Sequence, residues 1–244
     1  MRGFGITDIG KKRSKNEDNI FVSDIAIGGL ANLYIIADGM GGHKAGETAS
    51  LQAIKNFCQF IRDNSDFIYI ENHLEAALRY ANLQVFDMAC KDPELRGMGT
   101  TLTAIVFDSK NLYFAHVGDS RIYIVQNEQK PSLKQLTYDH SLVEELVRKG
   151  EITPEEARIH PDKNVVTRAV GTDSRVLIDK GFHNIEGVEK ILITSDGLTN
   201  MLQDPQILEI ILEKKSTEQK LKLLVDAANR NGGMDNISAI LIEK

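Results

Sequence analysis

Nine short runs rich in Ile, Val, Tyr, Phe and Thr limit what this chain can fold into. Each run is bounded by Gly, Asp, Asn or Ser, which is typical of β-strands. We predict strands at 3–7, 19–22, 33–37, 100–107, 112–117, 121–125, 176–182, 190–194 and 237–242.

Apolar residues at three- and four-residue steps predict helices over 49–61, 74–88 and 221–228. Ser216 and Gln219 fit a capping box ahead of the last of these helices. Helices and strands come in blocks and do not alternate strictly, which argues against a doubly wound parallel sheet. The predicted fold class is α+β, with two mainly antiparallel sheets packed together and helices outside.

The composition restricts the class of protein further. The chain has 244 residues and a net charge of −6, so it is long enough for one large core, and its acidic balance argues against nucleic-acid binding. Cys58 and Cys90 are too few for a disulfide framework, and we expect both to be small buried groups in a reduced compartment. No targeting segment or membrane span is evident, so we expect a cytoplasmic protein without membrane contact.

Three predicted strands end at an aspartate beside a glycine. The strand ends are Asp38-Gly39, Gly118-Asp119 and Asp196-Gly197, and a further acid, Asp235, precedes the last strand. A strand that stops at an aspartate holds its carboxylate at the rim of the sheet, and the glycine lets a backbone carbonyl approach a ligand. Each dipeptide alone is more typical of a turn, but together they predict a shared site.

Carboxylates that converge need a counter-charge. Two of them ~4 Å apart repel by about 4 kcal/mol at an effective dielectric of 20. Several such pairs would exceed the roughly 5–15 kcal/mol stability of a domain. Convergence therefore demands protonation or bound cations. The ligands are hard oxygens, with no His-x-x-x-His or Cys-x-x-Cys nearby, which favours Mg²⁺ or Mn²⁺ over Zn²⁺.

Eight short motifs follow one another in a fixed order. They are Arg-Ser-Lys-Asn-Glu-Asp at 13–18, Asp-Gly-Met-Gly-Gly-His at 38–43, Gly-Thr-Thr at 99–101, Gly-Asp-Ser-Arg at 118–121, Asp-His-Ser at 139–141, Thr-Arg-Ala-Val-Gly at 167–171, Ser-Asp-Gly-Leu at 195–198 and Asp-Asn-Ile at 235–237. In this order they resemble the metal-dependent protein phosphatases of type 2C, the PPM family, and its compact bacterial branch in particular. The resemblance covers nearly the whole chain and implies a single domain over 1–244 with a four-layer α-β-β-α sandwich. The weakly patterned segment 139–171 is interpreted as a flap or lid on the sheet edge.

The resemblance also implies a set of metal ligands. In the family a carboxylate bridges two divalent cations, and the position that matches it here is Asp38, with Gly39 contributing its carbonyl oxygen. Asp196 and Asp235 would complete the ligands of the first ion. Three further acids match positions near a second ion and a weaker third one: Glu17 and Asp18 for the second, Asp119 for the third.

The activity that the resemblance implies is hydrolysis of phosphoserine and phosphothreonine esters in proteins, by direct attack of a hydroxide that bridges the two cations. A partner kinase would oppose it, and we expect a monomer. The alternative is a catalytically silent relative that binds phosphoproteins or a regulatory partner. The intact set Asp38, Asp196 and Asp235 favours the enzyme. A two-metal nuclease conflicts with the acidic balance, and no Gly-rich loop with an adjacent Lys supports a kinase.

Two basic side chains have open alternatives. We expect Arg13 to hold phosphoryl oxygens, although it also belongs to the basic run 11–13, a pattern common on solvated surfaces. His43 is either the general acid for the leaving oxygen or a structural hydrogen-bonding residue. Family members from animals carry a histidine directly after the Asp-Gly, where this chain has Met40.

Other polar residues of the motifs are predicted to have structural and not catalytic roles. His116 is predicted to be a hydrogen-bonded core residue, and Thr100, Thr101 and Ser120 to brace the site. Asp-His-Ser at 139–141 is not expected to be a nucleophilic triad, because no nucleophile elbow accompanies it.

Overall fold

The computed structural model describes residues 1–41, 45–127 and 130–243 of the chain. Two antiparallel sheets form the centre of the described part. The first has the order β1-β11-β10-β7-β8 and the second the order β2-β3-β5-β6-β9, with the short β4 paired to β3. The strands are β1 (Arg2–Asp8), β2 (Asp18–Ser23), β3 (Leu33–Met40), β4 (Gly99–Thr100), β5 (Leu102–Phe107), β6 (Asn111–Val117), β7 (Arg121–Asn127), β8 (Pro131–Gln135), β9 (Asp179–Asn184), β10 (Val188–Thr194) and β11 (Ile237–Glu243).

Helices cover the outer face of each sheet, and two further short helices lie within segment 139–171. They are α1 (Ala45–Asp63), α2 (Ile70–Lys91), α3 (Leu142–Arg148), α4 (Pro154–Ile159), α5 (Asp196–Thr199), α6 (Asp204–Leu212) and α7 (Thr217–Arg230), with a 3₁₀ turn at Pro93–Leu95. Ser216 caps α7 in the predicted capping box with Gln219. Among the described residues, no helix has the length and apolar character needed to cross a membrane.

Strand β3 shows how the sequence produces four layers. Successive side chains of a strand point to opposite faces. Tyr34 and Ile36 point into the core between the two sheets, where they meet Ile240 and other residues of the first sheet. Leu33 and Ile35 point to the other face and pack against α1 and α2. A third core lies between the first sheet and α5 to α7. Both faces of β3 are therefore buried, and the α-β-β-α sandwich is confirmed.

Four local features differ from the predictions. The predicted strand 100–107 is divided into β4 and β5, because the N–H of Asp38 in β3 donates to the side chain of Thr101 and not to its carbonyl oxygen. The strand predicted at 176–182 begins only at Asp179, and β8 was not predicted. Both thiols are free, and Cys58 is buried as expected. Cys90 is exposed, which contradicts the prediction, because its position near the end of α2 faces solvent.

Candidate active site

The edge formed by β2 and β3 brings two carboxyl groups together. Asp18 and Asp38 are direct partners across the two antiparallel strands. The backbone of Asp38 is fixed from the next segment: its N–H donates to Thr101 Oγ1 at 2.9 Å, and its carbonyl oxygen accepts from Thr101 N at 2.8 Å. Thr100 Oγ1 donates to the same carbonyl at 2.8 Å. As expected, the two threonines brace the site, and the ladder break at Thr101 provides the bonds that do so.

Gly39 and Gly197 are needed for close packing of the backbone. A Cβ on Gly39 would lie 2.2 Å from the carbonyl oxygen of Gly46 in α1, and a Cβ on Gly197 would lie 1.9 Å from that of Asn236. Any side chain at either position would push apart the segments that hold the carboxylates. The glycines that we had expected to admit a ligand therefore also serve the assembly of the site.

Asp196 and Asp235 lie next to strands of the first sheet, after β10 and before β11. Asp196 opens α5 directly after β10, and its Oδ2 accepts from Asn200 Nδ2 at 2.8 Å. Its Oδ1 is buried and has no hydrogen-bond partner among the described residues. Asp235 Oδ1 accepts from the N–H of Asn236 at 2.8 Å, and its Oδ2 accepts from Arg13 Nη2 at 2.7 Å.

Asp18 lies behind these groups and is 4% exposed. Its Oδ2 accepts from Ser195 Oγ at 2.8 Å, whereas its Oδ1 is buried without a partner in the described part of the chain. The neighbouring Glu17 is held by its N–H, which donates to Asn236 Oδ1 at 2.9 Å. Asn200 and Asn236 were not predicted as site residues. Asn200 could have been found from its i,i+4 spacing to Asp196 on a helix.

A cavity of about 290 Å³ collects the predicted residues. Seven of them line it: Arg13, Glu17, Asp38, Gly39, Asp119, Asp196 and Asp235. Asp18 is not in the lining. His43 lies outside the described residues.

Burial and mutual repulsion raise the pKa values of Asp18, Asp38, Asp119 and Asp196 in this cluster. The pKa of Asp38 is well above its ordinary value because of burial and, next, the charges of Asp18 and Asp196. Burial and then the charge of Asp196 raise the pKa of Asp119 in the same way. Burial raises the pKa of Asp18 to about 7, against hydrogen bonds from serine hydroxyls, and the pKa of Asp196 to about 6, with a further increase from Asp235.

The arrangement fits divalent cations. A buried carboxylate oxygen without a donor costs free energy that a cation would recover. Asp18 and Asp196 each present such an oxygen. Within the described ranges, no group of three His, Cys, Asp or Glu side chains is spaced to hold an ion by itself. Mg²⁺ in proteins is usually held by one or two carboxylates, and water completes its coordination.

The polar residues that were predicted to have structural roles make hydrogen bonds within the fold. His116 is buried between Thr103 Oγ1, 2.8 Å from Nδ1, and the carbonyl oxygen of Tyr138, 3.2 Å from Nε2. Thr101 Oγ1 and Ser120 Oγ are 3.0 Å apart.

The three residues of Asp-His-Ser at 139–141 have separate partners. Asp139 accepts two hydrogen bonds from Arg121 Nε and one from its Nη2. His140 Nδ1 accepts from the N–H of Gly118 at 3.0 Å, and Ser141 caps α3. The motif is therefore not a nucleophilic triad.

The fold and the site are those of a class of enzyme in which clustered carboxylates bind divalent cations, and Arg13 lines the same cavity. A family model described as protein phosphatase 2C matches residues 2–160. The serine/threonine phosphatase stp of Listeria welshimeri is 38% identical over 247 residues, covering 98% of this chain and 94% of the relative. The protein phosphatase PhpP of Streptococcus pneumoniae is 36% identical over 239 residues, covering 97% and 95%.

Solved structures agree with these relatives. The serine/threonine phosphatase Stp1 from Staphylococcus aureus superposes with a TM-score of 0.90 and 34% identity, covering 99% of this chain and 94% of that one. The catalytic domain of PstP, in complex with two manganese ions, superposes with a TM-score of 0.84 and 32% identity, covering 99% and 97%. The chain belongs to the protein phosphatase 2C family, and the catalytically silent alternative is not favoured.

Proposed function

We propose that this protein serine/threonine phosphatase hydrolyses phosphoserine and phosphothreonine monoesters in the cavity between Asp38, Asp196 and Arg13. The observation that carries the proposal is a pair of buried oxygens, one on Asp18 and one on Asp196, which have no hydrogen-bond partner among the described residues and lie beside the Asp38 carboxyl group. A site built from acids alone would repel a phosphate dianion, so these acids are useful to a phosphatase only with cations bound.

The chain's own residues would hold two divalent cations, Mg²⁺ or Mn²⁺. Asp38 would be shared between them, with the carbonyl oxygen of Gly39, Asp196 and Asp235 on one side. Glu17 and Asp18 would serve the other side, and Asp119 would allow a third, weaker ion. When bound, such ions lower the pKa of a coordinated water and neutralise the charge of the phosphoryl group.

Arg13 is placed to orient the substrate. Its side chain is half exposed and borders the cavity, and its Nη2 contacts Asp235. A guanidinium carries five donors in a planar fork, which matches two phosphoryl oxygens at once. Arg13 would hold the phosphate in line for attack by water, so that no phosphoenzyme forms. His43 stays a prediction for the proton donor to the leaving oxygen.

We also propose the substrates, the opposing enzyme and the organisation of the chain. Phosphorylated proteins are the substrates, and a protein kinase supplies them. The chain acts as a monomer in the cytoplasm, where Cys58 and Cys90 stay reduced. Residues 1–244 form one catalytic domain, and segment 139–171, whose ends are joined by a bridge between Ser141 and Val166, is its flap.

The test is metal-dependent hydrolysis of p-nitrophenyl phosphate and of a phosphothreonine peptide. We expect both reactions after addition of Mg²⁺ or Mn²⁺ and neither in chelator. Asp66→Ala is the matched control for Asp38→Ala, because Asp66 is an exposed acid in the loop between α1 and α2. Metal-independent turnover of either substrate would contradict the proposal. Titration of each metal by calorimetry gives the number of ions and the preference between them.

A further inference from the structure

A second cavity adjoins the proposed catalytic one. It has a volume of about 190 Å³ and shares three lining residues with its neighbour: Arg13, Asn164 and Asp235. The two cavities therefore meet at the residue that we expect to hold the phosphate. A substrate whose phosphate lies against Arg13 has the second cavity directly beside it.

Two methionines give this second cavity an apolar lining. Met201 follows α5, and Met234 lies between Gly233 and Asp235. Their sulfur atoms are 3.7 Å and 3.8 Å from the position that a Cβ on Gly232 would occupy, so both thioethers border the same point of the loop.

The two methionines differ in how firmly their surroundings hold them. Asn231 Nδ2 donates to the carbonyl oxygen of Met201 at 2.8 Å, which ties the two loops together. Met201 is partly buried against the core below α5 to α7, whereas Met234 is 54% exposed. An exposed thioether at the mouth of an otherwise acidic site loses contact with water when an apolar group covers it. Methionine is also the side chain that adapts most readily to ligands of different shape.

The geometry of an extended peptide indicates what would cover these side chains. Successive side chains point to opposite faces, and residues two apart share a face at a spacing of about 7 Å. If the phosphorylated side chain enters the catalytic cavity, the next side chain on that face belongs to the residue two positions away. The cationic groups of Arg13 and Lys163 also line the second cavity and disfavour a lysine or arginine there.

We propose that Met201 and Met234 form a subsite for an aliphatic side chain, such as leucine or methionine, two residues from the phosphorylated serine or threonine. The proposal rests on the proposed function and adds a substrate preference to it. It assigns selectivity to contacts outside the metal cluster.

The experiment compares phosphothreonine peptides of otherwise identical sequence that carry Leu, Ser, Glu or Lys two residues before, or two residues after, the phosphothreonine. Phosphate release gives kcat/KM for each. In one of the two series, we expect kcat/KM of the Leu peptide to exceed that of the Ser peptide by about tenfold. This is the lower end of the 10- to 200-fold discrimination that a hydrophobic pocket gives for one methylene group. Met234→Ser should reduce this ratio towards one, and Met234→Leu should retain it.

Leu83→Ser is the matched control, since Leu83 is a 45% exposed apolar side chain on α2 that lines neither cavity. The control should keep the wild-type ratio. Equal kcat/KM for Leu and Ser peptides, a preference for Glu, or an unchanged ratio in Met234→Ser would overturn the subsite while hydrolysis itself continues. Absence of hydrolysis of p-nitrophenyl phosphate and of every peptide would instead overturn the proposed function.

Discussion

Arg13 and Asp235, 222 positions apart in the sequence, are joined by a hydrogen bond of 2.7 Å from Nη2 to Oδ2 at the border of the catalytic cavity. The same carboxylate oxygen is expected to face a cation, and the same guanidinium is expected to face the phosphate. A cation bound by Asp235 would weaken the hydrogen bond from Arg13 to this carboxylate. Metal binding and the availability of Arg13 for phosphate would then be coupled through one side chain.

Arg13→Ala is expected to raise KM with a smaller effect on kcat, because the arginine holds the phosphate in the ground state as well as in the transition state. Hydrogen bonds to charged groups contribute about 1.5–3 kcal/mol, which corresponds to an increase of roughly 10- to 100-fold. Steady-state kinetics on p-nitrophenyl phosphate measures this increase in KM. Arg13→Lys keeps the charge without the planar guanidinium, so its KM should lie between those of the wild type and Arg13→Ala. An unchanged KM with a collapsed kcat would show that another group binds the phosphate.

Asp38→Asn is expected to abolish turnover and, in chelator, to make the protein more stable. The pKa of Asp38 is raised in the folded state, so at neutral pH its ionisation opposes folding unless a cation is bound. Removing that charge should raise the melting temperature of the metal-free protein, at about 2–4 °C for each kcal/mol gained.

The same variant should lose most of the stabilisation that Mg²⁺ or Mn²⁺ gives the wild type, whereas Asp66→Asn should keep it. Differential scanning calorimetry with and without metal provides both readings. A metal-free Asp38→Asn protein that melts below the wild type would contradict the account of the cluster as a set of opposed charges.

The strand-end carboxylates could be predicted from the sequence because each depends on local information. The apolar runs before Asp38 and Asp196 show which carboxyl group follows each run, although β3 continues past Asp38 to Met40 and the predicted strand 33–37 ends too early. Their meeting depends on the register of distant segments. Asp18 lies opposite Asp38 because β2 and β3 pair at that register. In the other sheet, the first strand, β1, pairs with the last, β11, from the far end of the chain. No local pattern contains that information.

Strand β8, at the edge of the first sheet, was missed by the sequence analysis. Strand β8 has the sequence Pro-Ser-Leu-Lys-Gln, pairs only with β7, and is largely exposed. Proline is tolerated at the first residue of an edge strand, but it argues against a strand when read locally. Strand β9, at the edge of the second sheet, was predicted with shifted bounds, and alternate residues are exposed along Asp179–Asn184. Both strands lack the continuous apolar runs of the inner strands.

Metal affinity is expected to increase as the pH rises from about 5 to 8. The pKa of Asp196 is about 6 and that of Asp18 is about 7, so below these values protons occupy the oxygens that a cation needs. Binding at pH 6 should release protons. Calorimetric titration of Mn²⁺ in two buffers with different ionisation enthalpies measures the number released. Equal affinity and no proton release across this range would refute the raised pKa values.

His116 is expected to make the protein less stable as the pH falls from 6.5 towards 4. Burial lowers its pKa to about 4, with a further lowering from His140, whereas an unfolded histidine has a pKa of about 6.5. The unfolded chain therefore binds more protons within this window, and stability is lost as the pH decreases. A difference of roughly 2.5 pKa units corresponds to about 3 kcal/mol.

Urea unfolding at pH 4, 5, 6 and 7.5 measures this loss in the free energy of unfolding. His116→Gln cannot titrate, so the gap in unfolding free energy between wild type and variant should narrow by that amount on acidification. Parallel pH profiles would show that His116 takes up its proton without a cost to the fold.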